Sequence, residues 1–181
     1  MIDVMKRHLL EAVPVGVHAK RSQDWNSFFS KTGMVLPEDY VWLVGSYGCG
    51  RFDEYLYLLE PGCPNVNYEL MAAVKERREA FDWLWQEGEP KPPELQVEGS
   101  EFIPWASTDN GEFLYWRSLP GLQPSEWTVL ISEARGEQWE HYQMGCVEFL
   151  AKALTREITS EILSPEFPLA THLFEPIESL A

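Results

Sequence analysis

Eight tryptophans and 29 acidic residues are the raw chemical material of this 181-residue chain. Aromatic rings stack on sugars, and two carboxylates flanking a glycosidic bond can hydrolyse it, so the combination would suit a glycoside cleft. Most of the tryptophans, Trp105 and Trp116 among them, instead fall on the apolar faces of expected elements. There a core role is the ordinary one. Sugar binding without hydrolysis stays open. His8, His18, His141 and His172 are scattered, with no His-x-x-x-His pair, so no zinc site is expected. No Gly-x-x-x-x-Gly-Lys-Ser/Thr loop occurs, and Gly48-x-Gly50 lacks the third glycine of a dinucleotide fingerprint. The parts of a Ser-His-Asp or Cys-His site meet only in space, so one chain does not reveal them. No nucleophile elbow is present. The expectation is a non-catalytic protein without metal or cofactor.

The carboxylates say more through their distribution. The chain carries 29 acidic and 14 basic residues, a formal charge of −15. Residues 82–148 hold thirteen of the acids and only Lys91, Arg117 and Arg135 as bases. Phosphate contacts need Lys and Arg, so a nucleic-acid partner is not expected. A basic protein partner is, because complementary potential steers encounter. A plain solubility surface is the alternative. Five glutamates, Glu87, Glu89, Glu94, Glu98 and Glu101, lie in or beside the proline-rich stretch 87–100. They are the candidate partner-binding residues, expected to be solvated on a mobile excursion.

The elements that must position these residues follow from spacing. Ile2, Met5, Leu9 and Val13 predict an amphipathic helix ended by Pro14. Ser22 or Asp24 can cap a second helix bearing Trp25, Phe28 and Phe29, which Gly33 can end. Pro37, Glu38 and Asp39 suit the start of a third, with Tyr40, Leu43, Val44 and Tyr47 as its buried stripe and Gly48 as its stop. Residues 51–59 read as one strand, and 66–85 as a helix through Leu70, Val74, Phe81 and Trp85. From Phe102 to Trp116 the pattern is a hairpin about Asp109-Asn110-Gly111. Asn-Gly suits a type I′ turn with positive φ at both residues. Pro104 lacks an N–H, so the first strand is expected at an edge or bulged. Trp127 to Ser132 is a continuous apolar run, expected to sit centrally in the sheet. Residues 137–142 read as a further strand, Val147 to Leu154 as a last helix, and 164–181 as a tail.

At this length one domain is expected, able to bury about 70% of its unfolded surface without a disulfide or metal. Cys49, Cys63 and Cys146 are odd in number and widely spaced, which predicts free thiols in a reducing compartment. No signal-like or membrane-length apolar segment is seen, so a soluble cytoplasmic protein with no membrane partner is expected.

The order of the pieces resembles the SUKH superfamily, the Smi/Knr-type proteins. The carrying residues are Leu36-Pro37-Glu38-Asp39-Tyr40 leading to Tyr47-Gly48-Cys49-Gly50-Arg51-Phe52, then Phe102-Ile103-Pro104-Trp105-Ala106 leading to Thr108-Asp109-Asn110-Gly111 and Trp116. Trp127-Thr-Val-Leu-Ile and the helix beginning Val147-Glu148-Phe149-Leu150 complete them. The resemblance covers about residues 20–155. It implies an α+β fold, a mainly antiparallel twisted sheet packed with helices. In that pattern Leu36, Pro37, Tyr40, Tyr47, Gly48, Gly50, Phe52, Pro104, Trp105, Asp109, Gly111, Trp116 and Trp127 are scaffold. It also implies immunity proteins that block a cognate toxin by direct binding, or, in fungal relatives, regulators of cell-wall synthesis and signalling. The 87–100 loop and the residues after Phe167 depart from the pattern.

Overall fold

The computed structural model describes residues 2–16 and 23–180, with the side chains of 179 and 180 left out. His18 and the alternative cap Ser22 lie outside the described residues. The fold is α+β. A seven-stranded sheet, antiparallel at every ladder, runs in the order β6-β5-β4-β3-β2-β1-β7. Its strands are β1 Gly50–Phe52, β2 Leu56–Leu58, β3 Glu101–Thr108, β4 Phe113–Ser118, β5 Thr128–Ser132, β6 Trp139–Tyr142 and β7 Phe174–Pro176. The helices are α1 Ile2–Ala12, α2 Trp25–Thr32, α3 Glu38–Tyr47, α4 Leu70–Gln86 and α5 Cys146–Leu154.

Strand alternation sorts the apolar residues onto two faces. Phe52, Leu56, Leu58, Trp105, Leu114, Trp116, Val129 and Ile131 meet Leu9, Tyr40, Leu43, Phe149 and Leu150 of α1, α3 and α5 in the main core. On the opposite face Phe102, Tyr115 and Leu130 pack beneath Phe81 of α4. The result is a sheet between two helical layers. Local signals agree with it. Asp24 caps α2 by accepting from the Ser27 N–H at 2.9 Å, and Gly33 ends that helix at φ 68. Gly48 ends α3 at φ 75. The buried stripe of α3 is the expected one, with Asp39 added.

Four expectations are corrected, and the choice left open at Pro104 is decided. Residues 51–59 are two strands, because Asp53 and Glu54 both take positive φ, 50° and 58°, and turn the chain back. The paired-positive loop therefore sits here and not at Asn110-Gly111. In the β3–β4 hairpin only Gly111 is left-handed, at φ 96, and the Gly111 N–H donates to the Thr108 carbonyl at 3.1 Å, giving a three-residue loop. Pro104 is bulged but not at an edge: β3 is the middle strand, and its register with β4 slips between Pro104 and Ala106. The apolar run of β5 lies inside the sheet, one strand from its edge, and not at its centre. The supposed tail adds β7 to the edge of β1.

What holds that last segment is Asp53. Its buried carboxylate accepts from the Leu169 and Leu173 N–H groups at 3.1 and 2.9 Å and lies 2.7 Å from His172 Nδ1. Three donors converging on one carboxylate stabilise its otherwise unfavourable backbone conformation. Gly50 then lets β7 approach. A Cβ there would stand 2.5 Å from Phe174 Cζ and overlap the Glu175 carbonyl. Cys49 and Cys63 form a disulfide, which overturns the free-thiol expectation and the compartment argument built on it; Cys146 is free and buried. Among the described residues no helix is long and apolar enough to cross a membrane.

Candidate partner-binding face

The proline-rich stretch that follows α4 is packed down instead of projecting into solvent. Leu95, in the short 3₁₀ turn Pro93–Leu95, is only 1% exposed and joins Phe81, Phe102, Tyr115 and Leu130. The Glu94 carbonyl accepts from Arg117 Nε at 2.8 Å and from the Ser100 hydroxyl at 3.1 Å. Gln96 Nε2 donates to the Lys91 carbonyl at 2.6 Å, and the Lys91 ammonium lies 4.6 Å from the centre of the Trp85 ring. Gly99, at φ 73, is pressed against Pro120 of the β4–β5 connection. An apolar anchor and several hydrogen bonds thus fix a segment whose composition alone reads as a linker.

The five glutamates do not form one cluster. Glu87 and Glu98 are exposed and Glu89 is half-buried. Glu101 is exposed, 3.7 Å from Arg78 of α4. Arg78 and Glu87 are nine residues apart, about 13 Å of helical rise. Glu101 and Glu87 therefore lie apart along α4, and Trp83 (61% exposed) on that helix and Val97 in the loop are exposed as well. Glu94 corrects the expectation of uniform solvation. Its carboxylate turns inward, 3.9 Å from His141 Nδ1. Among the described residues no group of three or more His, Cys, Asp or Glu could hold a metal ion.

His141 sits on β6 under this loop, with Nε2 2.9 Å from the Thr128 hydroxyl. Burial, then the nearby Arg117 guanidinium, holds its pKa below the usual histidine value, and Glu94 only partly opposes them. The ring is therefore neutral at pH 7, and its contact with Glu94 is not an ion pair there. Sequence reading gave no reason to join His141, Thr128, Arg117 and Glu94, which come from four segments.

Toward the other edge of the same sheet face, Arg51 Nε donates to Glu175 at 2.8 Å and Arg51 Nη1 to the Tyr57 hydroxyl at 3.2 Å. The Tyr57 hydroxyl is 3.4 Å from Asp109 Oδ1, and its ring stacks on Tyr68 with centroids 4.2 Å apart. Asp109 is thus more than a turn residue. Burial, then Tyr57, raises the Tyr68 phenol to about 12.

Among the residues read as scaffold, Leu36, Tyr40, Tyr47, Phe52, Trp105 and Trp116 are buried in the main core. Pro37 precedes α3, and Gly48 and Gly111 occupy left-handed backbone. Trp127 alone among the tryptophans of that set is only half-buried. Comparison of the chain with family models, with curated proteins and with solved structures gives no match.

Proposed function

We propose that this chain is a non-catalytic protein-binding module of the immunity type, which binds and occludes a basic toxin domain inside the cell that makes it. The observation that carries this reading is the anchored acidic loop. Leu95 and the Glu94 carbonyl hold the backbone, while Glu87, Glu98 and Glu101 face solvent. Surface carboxylates on a held backbone keep their spacing, so a partner does not have to order them on binding. Exposed carboxylates of one sign raise the local negative potential and steer a basic surface, an effect that salt screens over about 10 Å at 0.1 M. The likeness in motif order to the SUKH superfamily supplies the biological class, and with it the intracellular setting and the regulatory adaptor as the alternative role.

The test uses the product of the adjacent gene as partner. Changing Glu87, Glu89, Glu98 and Glu101 together to Gln should slow association at low salt, with a much smaller effect at high salt. Dissociation should change less, because rim charges act mainly on encounter. Association rates equal to wild type at both salt concentrations would return this acidity to solubility.

A further inference from the structure

A cavity of about 230 Å³ lies on the main-core side of the sheet, between α5, β6 and the chain from 156 to 168. No residue of the acidic loop contributes to it. Its wall includes Tyr142, Phe149, Ala153, Leu163 and Phe167, all part of the main core or packed against it. Among the described residues that line it, Arg156 alone is charged. Arg156 follows α5 in left-handed backbone, at φ 58, a place where glycine ordinarily ends a helix. Its Nη2 donates to the carbonyl of Pro168, another residue of the lining, at 2.6 Å. A guanidinium has five N–H groups, and among the described residues the protein binds only this one. Arg156 is exposed, and no carboxylate of a described residue forms an ion pair with it. The nearby Glu140 carboxylate is already engaged. Its oxygens accept from the Tyr142 and Ser160 hydroxyls at 2.8 and 2.6 Å and from the Glu161 N–H at 2.7 Å.

We infer that this cavity binds a small monocarboxylate with an apolar body, whose carboxylate meets the exposed Arg156 guanidinium while the body enters the wall of Phe149, Ala153, Leu163 and Phe167. Volume sets the size. An engineered apolar cavity of about 150 Å³ stays dry and binds benzene, so this larger one has room for a substituted ring. It falls below the roughly 300–1,000 Å³ of pockets for drug-sized ligands, which limits the occupant to one ring or a short branched chain. Removing that body from water supplies affinity in proportion to its apolar area. Charge sets the polar end. The planar fork of a guanidinium matches a carboxylate, and its uncommitted N–H groups are available to one. An amine of the same shape would meet the guanidinium as a like charge. An amide would forgo the charge-assisted bond, and inorganic phosphate brings no apolar body to the wall. An arginine held in backbone that suits glycine is the kind of local cost that functional positions carry. This inference is independent of the protein-binding role.

The probes are benzoate and phenylacetate, each compared with its amide (benzamide, phenylacetamide) and its amine (benzylamine, phenethylamine). Binding is read from the methyl chemical shifts of labelled protein, which also locate it. At least one carboxylate should saturate by about 10 mM, move the Ala153 and Leu163 methyl signals, and bind more tightly than its amide and its amine. Arg156→Gln removes the charge and can keep an N–H for the Pro168 carbonyl. It should weaken the carboxylate about three- to tenfold, as for a charge-assisted bond screened by solvent, and leave the amide unchanged. Ala153→Leu fills the cavity and should weaken carboxylate and amide alike. If Ala153→Leu does not fold, the shift map and Arg156→Gln still decide. The inference is overturned if no carboxylate saturates by about 10 mM, or if one saturates without moving the Ala153 and Leu163 signals. It is equally overturned if an amide or amine binds as tightly as its carboxylate, if Arg156→Gln leaves the carboxylate unchanged or weakens amide and carboxylate equally, or if folded Ala153→Leu binds as wild type does.

Discussion

Leu95→Ala tests whether the acidic loop is held by packing. The side chain is 1% exposed, among Phe81, Phe102, Tyr115 and Leu130. Truncation removes three carbons, about 2.4 kcal/mol of transfer free energy at about 0.8 kcal/mol each. A cavity term adds to this where neighbours do not relax, as in the range of about 2.7–5 kcal/mol for buried leucines. Here the cover is a loop with no regular structure beyond one 3₁₀ turn, which can settle inward, so a loss of about 2–3.5 kcal/mol is expected. At this chain length that corresponds to a fall in melting temperature of roughly 4–14 °C. Urea unfolding measures the loss. Amide exchange locates it, with the Leu95 and Ser100 amides, bonded to Pro92 and Val97 carbonyls, expected to exchange faster. Glu98→Gln, at an exposed site in the same loop, should stay within about 0.5 kcal/mol. A loss below about 1 kcal/mol for Leu95→Ala, with exchange at 95 and 100 unchanged, would refute the packing argument.

Gly50→Ala should displace β7, since the new Cβ would overlap the Glu175 carbonyl. A loss of about 1–3 kcal/mol is expected, and limited proteolysis should cut faster within 164–180; equal digestion rates would contradict it. Replacing Cys49 and Cys63 together by Ser should cost about 2–4 kcal/mol for a loop of this separation, 14 residues. Alkylation of the unfolded, non-reduced protein should label Cys146 alone, and three labels would disprove the pairing. His141 makes stability fall as pH drops below about 6.5, because the unfolded chain takes up a proton there and the folded chain, with its lowered pKa, does so only at lower pH. His141→Gln should therefore lose less stability than wild type between about pH 7.5 and 5.5 in urea titrations, and identical pH slopes would refute this.

By itself the sequence determined those elements whose signals are local. The stripe Tyr40, Leu43, Val44 and Tyr47, the Asp24 cap and the Gly33 and Gly48 stops depend on residues within one or two turns. The alternation of β3 and β4 about a Gly111 turn was readable for the same reason. Acidity and the lack of phosphate-binding and zinc-spaced motifs are likewise properties of composition and spacing. Tertiary structure decided whatever depends on partners far along the chain. The Asp53-Glu54 turn has no glycine or asparagine to announce it, and its conformation is supported by donors at 169, 172 and 173. The 87–100 stretch reads as a linker because prolines and glutamates dominate it, yet one leucine and one carbonyl, meeting β3, β4 and α4, are enough to hold it. The Cys49–Cys63 pair shows no spacing motif, since what brings the sulfurs together is the path of the chain through β1, β2 and the loop after them. Asp39 accepts from the Val147 N–H, 108 positions along the chain, a bond that only the packing of α5 against the start of α3 makes.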